Sequence, residues 1–402
     1  MNKFISPACR VAAMLAALPL LGAAADPAQP AAVQQKPATT TTNASNVTTL
    51  RRPQVPVVTS PEVLPDRSVV FRVLAPNATE VTLSGEWTNG VKQMSKDAKG
   101  VWTLTVGPIE PDLYGYSFFI DGFQTLDPAN SAVKPMRSPR ASILDVPGKQ
   151  PALHDFQNVP HGAVHQHAYA SQSLGKRRSL MVYTPPGYEL QATNRYPVLY
   201  LFHGAGDNEG TWTALGRAQW IADNLLAQGK CRPLILVMTD GHAQSPAAAG
   251  ASPELRGQAM GAFQRDLLQD VMPFVEANYR ARPGPANRAI IGLSMGGGQS
   301  LTIGLNHPEL FAWVGGMSAA VVNPEETLKA ALADATASNA RLKLLWFACG
   351  KDDFLLKQNK QLDELLNARG IQHEFKLTEG NHSWPVWRRY FADFLPLVFR
   401  VE

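Results

Sequence analysis

The chain has 402 residues, 45% of them apolar and 17% charged, which is room and composition for two folded units with sizeable cores. Its net charge of +4 comes from scattered Lys and Arg. That excludes the basic stripe a nucleic-acid partner leaves and stays compatible with an acidic polysaccharide.

The chain opens as a secretory signal does. Lys3 and Arg10 supply the positive region, Val11 to Ala24 the apolar one, and Ala23-Ala24-Ala25 an A-x-A cleavage site before Asp26. The apolar run is too short to cross a bilayer comfortably, and no later stretch of about 18 apolar residues exists. Residues 1–25 are therefore expected to be removed, leaving a secreted or periplasmic chain with no membrane partner. Residues 26–60, rich in Ala, Pro, Gln and Thr, bury too little to fold and are expected to be a linker.

From 61 to 148 the pattern changes to short alternating segments, "SVVFRVLAP", "TEVTLSGEW", "GVWTLTVGP" and "YGYSFFIDG", separated by Pro, Asn, Asp and Gly. That spacing predicts a small antiparallel, immunoglobulin-like sandwich. Trp87, Trp102 and Tyr116 either fill its core or form a sugar-binding platform. Residues 149–165 read as a second linker. His161, His165 and His167 fall in or beside it in irregular spacing and without a Cys companion, so no metal is expected there.

From 166 to 402 apolar runs alternate with helical stretches. "RSLMVYTPP", "PVLYLFHG", "PLILVMTD", "RAIIGLS", "WVGGMS", "LKLLWFACG" and "HEFKLTEG" are strand candidates, with helices expected near 215–228, 260–279, 295–306, 325–336, 355–369 and 384–396. Continuous apolar strands between helices predict an α/β fold, a mostly parallel sheet covered on both faces. Cys231 and Cys349 then sit too far apart to bond and are expected to be free.

Gly292-Leu293-Ser294-Met295-Gly296 fits G-x-S-x-G between a strand and a helix, where a nucleophile elbow stands in an α/β-hydrolase fold. The pentapeptide is common by chance and takes its weight from that setting. A phosphate loop is excluded because no Lys follows the glycines. A serine hydroxyl needs a base and an orienting acid, expected in the order Ser, Asp, His. Asp352 and Asp353 follow one strand run and His382 follows the next, at the carboxyl edge where open α/β sheets bind ligands. Ser294 is assigned as nucleophile, His382 as base and Asp353 as its partner, with Asp352 as the rival acid. The backbone N–H groups of Met295 and Ala205, the latter in "HGAGD", are the candidate oxyanion donors. His203 and His242 read as residues that shape loops. Trp384 and Trp387 fall on a helical stripe, which is first a packing stripe and second a contact for an aromatic acyl group. No cofactor is expected.

"VYTPPGYE", "LYLFHGAGDNEGTW", "GLSMGG", "CGKDDF" and "GNHSWPVWRRY" together resemble carbohydrate esterase family 1, which includes feruloyl and acetylxylan esterases, over about 170–402. The triad that this resemblance implies falls on Ser294, Asp353 and His382. The segment 61–148 resembles the early-set sandwich of carbohydrate-binding module family 48. The resemblance implies a serine esterase whose partners are feruloylated or acetylated xylan and its oligosaccharides. Siderophore trilactone esterases, acyltransferases and a non-catalytic carbohydrate-binding protein are the rival readings.

Overall fold

Alternation of apolar and polar side chains builds the first unit of the chain. The computed structural model describes residues 57–88, 90–243 and 253–400; the expected signal and the expected linker up to residue 56 lie outside them. The strands β1 (Glu62–Val63), β2 (Val69–Leu74), β3 (Val81–Gly85), β4 (Lys92–Gln93), β5 (Ser95–Lys96), β6 (Val101–Val106), β7 (Asp112–Ile120), β8 (Phe123–Thr125) and β9 (Ser142–Val146) come first. They make two antiparallel sheets, β1-β2-β6-β5 and β4-β3-β7-β8, with β9 also paired to β7. Val69, Phe71 and Val73 point inward from β2, against Leu83, Tyr116 and Phe118 of the facing sheet, as a period of two requires.

The aromatics offered as a platform belong to this core. Trp102 and Tyr116 are buried, and Trp87 stacks on Phe71 at 5.6 Å. Of the two readings the core one holds: Trp102 and Tyr116 lie inside, and Trp87, partly buried, packs against the same cluster.

The segment expected as a second linker is fastened rather than loose. The Asn224 amide donates to the carbonyls of Leu153 and Asp155, and His161 Nδ1 meets Asp223 at 2.9 Å. It also runs into a strand that was not expected, β10 (Ala163–Ser171), which carries His165 and His167. Its side chains are mostly exposed at the edge of the sheet, so it lacks an apolar run. Among the described residues no group of three or more His, Cys, Asp or Glu is placed to hold a metal ion.

The remaining strands are β11 (Lys176–Thr184), β12 (Val198–Phe202), β13 (Ile235–Thr239), β14 (Arg288–Gly292), β15 (Trp313–Met317), β16 (Leu344–Gly350) and β17 (Glu374–Thr378). With β10 they form one sheet in the order β10-β11-β13-β12-β14-β15-β16-β17. It is parallel from β13 to β17, with β10 and β11 antiparallel at one edge. This is the expected α/β architecture. Alternate residues of β12 enter two cores: Tyr200 and Phe202 with Phe263 and Leu301 on one face, Leu199 and Leu201 with Ile221 and Phe391 on the other.

Helices occupy the expected stretches with two differences. The stretch 260–279 is two helices, Pro253–Asp266 and Met272–Asn278, joined by a π turn at Leu267–Val271. The stretch 325–336 breaks into short pieces, Pro324–Thr327, Lys329–Ala333 and Ala335–Arg341. Cys231 and Cys349 are free, and burial pushes both thiols up to about 12.

Leu113 and Ile143 of the sandwich sit in the same core as Leu199 and Phe391. Buried Arg388 bridges the two units, donating to Leu215 O at 2.7 Å and pairing with Asp112 at 2.5 Å.

Candidate active site

The turn after β14 carries Ser294 at φ 53°, ψ −115°, a conformation that costs a non-glycine residue of order 1–3 kcal/mol. The surroundings hold it there. Leu293 N–H donates to Phe202 O, Ser294 N–H to Met317 O, and Ala320 N–H to Ser294 O, all within 3.1 Å. The flanking glycines are steric necessities. A Cβ on Gly292 would lie 2.4 Å from the Gly296 backbone, and one on Gly296 would lie 2.5 Å from His203 O. The four glycines Gly292, Gly296, Gly297 and Gly298 thus let a strand, a helix and a neighbouring loop meet around one half-exposed hydroxyl.

Asp353 follows β16 and His382 follows β17. His382 Nε2 lies 3.0 Å from Ser294 Oγ, and its Nδ1 lies 2.9 and 3.0 Å from the two oxygens of Asp353. A carboxylate on Nδ1 places that proton on Nδ1 and leaves Nε2 free to accept from the serine. Burial pushes the Asp353 carboxyl up, but donations from His382, Ser318 and the Leu355 N–H outweigh it and hold it below its ordinary value. Asp352 is exposed to solvent and takes no part in this chain of contacts.

Met295 heads the helix Met295–Asn306, where an N–H has no carbonyl of its own helix to meet. The loop with Ala205 lies alongside: a Cβ on Gly204 would stand 3.5 Å from the Ser294 Cβ. His203 and His242 shape that loop. Buried His203 donates from Nδ1 to Gly204 O at 2.8 Å and accepts the Gly241 N–H on Nε2 at 2.9 Å. His242 Nε2 accepts the Gly206 N–H at 3.1 Å.

Trp384 and Trp387 are placed in the core. Trp384 is 0% exposed and meets Trp212 edge-on at 5.0 Å, so it has no surface for a ligand. Trp387, also buried, packs edge-on to His382 at 4.8 Å and donates from Nε1 to Ser318 Oγ at 3.1 Å. Their assignment as substrate-binding residues is corrected: the helical stripe faces inward, and Trp387 backs the imidazole.

Two residues beside the site carried no sequence assignment. Ser318, fully buried at the carboxyl end of β15, links Trp387 to Asp353; its place at that sheet edge was the available signal. Phe354, next to Asp353, is 74% exposed with its ring 4.3 Å from the His382 ring. It sets an exposed aromatic ring against the imidazole, signalled only by its position after the acid.

The family model for a putative esterase matches residues 171–398, and that for carbohydrate-binding module 48 (isoamylase N-terminal domain) matches 59–135. An endo-1,4-beta-xylanase/feruloyl esterase of Xylanibacter ruminicola is 33% identical over 343 residues, 82% of this chain and 44% of that protein. This chain spans about half the length of the curated relatives it matches. Among solved structures, a ferulic acid esterase is similar with a TM-score of 0.52 and 25% identity, over 60% of this chain and 99% of its own. The enterobactin esterase of Shigella flexneri shares the fold over 82% of this chain and 92% of its own, at a TM-score of 0.59 and 16% identity.

Proposed function

The chain belongs to the putative esterase family, and from that premise we propose that it is a serine esterase that releases feruloyl groups from plant cell-wall xylan through an acyl-enzyme. One observation carries the reading: a strained, half-exposed serine hydroxyl in hydrogen-bond reach of an imidazole that is itself held by a buried carboxylate. The relative from Xylanibacter, a xylanase/feruloyl esterase by name, supports the acyl group and the polysaccharide.

In this mechanism Ser294 Oγ attacks the ester carbonyl while its proton passes to His382 Nε2. Asp353 keeps the other ring proton on Nδ1 and stabilises the imidazolium. The carbonyl oxygen becomes an oxyanion, met by the N–H groups of Met295 and Ala205. The C–O bond to the sugar then breaks, and the imidazolium returns its proton to the departing alcohol. Water, deprotonated by the same imidazole, attacks the acyl-enzyme and releases the acid and Ser294.

Methyl ferulate, acetylated xylan and a ferric catecholate trilactone, assayed side by side, test the substrate. Cleavage of the ferulate ester is expected, and its absence would overturn the feruloyl assignment in favour of whichever ester is cut. Ser294→Ala is expected to lower turnover by roughly three orders of magnitude or more with polysaccharide binding retained. A variant of unchanged activity would remove Ser294 as nucleophile.

A further inference from the structure

The loop that carries Ala205 has little say in its own conformation. Gly204 and Gly206 flank Ala205, and Gly206 stands at φ 85°, so the residues beside the proposed donor are the ones with most backbone freedom. Fasteners outside the loop must therefore aim the Ala205 N–H. On one side these are His203 and His242 of the hydrolase, already described.

On the other side they come from the sandwich. Its segment between β8 and β9 lies along the loop: Arg137 N–H donates to Gly206 O at 3.0 Å, and Met136 forms an antiparallel bridge with Asp207. Lys134 Nζ meets Asp207 Oδ1 at 2.9 Å, the two side chains being only 16% and 5% exposed. Farther on, Thr211 Oγ1 donates to Pro135 O at 2.6 Å. Exposed ion pairs are loose and worth little. This one is largely dry, so losing Lys134 strands the Asp207 charge, and losing either member releases the loop.

We propose that the strap 134–137 of the sandwich is a positioning element of the oxyanion hole, with Lys134 acting through Asp207 to aim the Ala205 N–H. The proposal rests on the reading of Ser294 and Ala205 given above. It assigns the sandwich a part in the chemical step itself, felt even by an ester too small to touch a polysaccharide surface.

The test is steady-state kinetics on p-nitrophenyl acetate with Lys134→Met, Lys134→Arg and the isosteric Asp207→Asn, alongside affinity for a boronic acid that mimics the tetrahedral adduct. Lys134→Met and Asp207→Asn are expected to lower kcat about 10- to 100-fold, with KM within about twofold and boronate affinity falling in parallel. Lys134→Arg keeps the charge and restores most of the rate. Lys92→Ala, on the exposed strand β4 of the same sandwich, leaves kcat unchanged. A folded Asp207→Asn or Lys134→Met protein with native kcat would overturn the proposal, even if its melting temperature fell, because a merely structural contact moves stability alone. Ser294→Ala separates the two claims: if it is inactive while these variants are not, the nucleophile stands and the strap's role is lost.

Discussion

Asp352 and Asp353 are chemically alike and adjacent, and their environments alone part them. Asp353 is buried and accepts from His382, Ser318 and a backbone N–H, whereas Asp352 faces water. Asp353→Asn is therefore expected to reduce kcat by about 10³- to 10⁴-fold, since an amide facing Nδ1 favours the wrong imidazole tautomer. Asp352→Asn should stay within about twofold of the native rate. Comparing the two kcat values checks the assignment, and equal losses would refute it. Ser318 and Trp387 act a step further back, holding Asp353 and the ring of His382.

At the scale of elements, the loops after β12 and β13 are bolted together by two histidines that must be neutral to accept N–H donors. His242 titrates at about 4 instead of 6.5 in the folded chain, because of burial first and the neighbouring His203 second. Between those pH values the unfolded chain binds the extra proton and the folded chain does not. The stability tied to neutral His242 is thus complete above about pH 6.5 and is lost as the pH falls toward about 4. Melting temperatures measured from pH 7 to pH 4 are expected to drop, and His242→Gln, whose side-chain oxygen can accept the Gly206 N–H, should flatten part of that drop. An identical slope in the two proteins would show that the bolt does not titrate in this range.

Across the whole molecule, the sandwich and the hydrolase share a core and a buried charge. Leu113 and Ile143 lie among hydrolase side chains, and Arg388 pairs with Asp112 across the junction. Glu86, a sandwich residue whose carboxyl burial pushes upward, accepts the Trp384 N–H at 3.1 Å. Two units joined this way are expected to unfold together. Calorimetry should show one transition, and Arg388→Met, which takes the guanidinium away from Asp112 and from Leu215 O, should cost on the order of 3 kcal/mol. Two separate transitions in the native chain would show that the junction carries little of the stability.

By itself the sequence determined what repeats or what chemistry makes rare. Apolar runs marked the parallel strands because both faces of that sheet are buried, and the glycines around Ser294 marked a turn where no Cβ fits. Chain order then put a serine, two acids and a histidine at one sheet edge. The half-exposed hairpin strand β10 stayed hidden because an edge strand needs no apolar run. Tertiary structure decided what depends on direction rather than on residue type: which of two adjacent carboxylates turns inward, that Trp384 faces the core, and that a strap from the sandwich lies along the Ala205 loop. A pattern along the chain records how much surface a residue must hide, but not which distant residue hides it, since that is settled only when the layers close on one another.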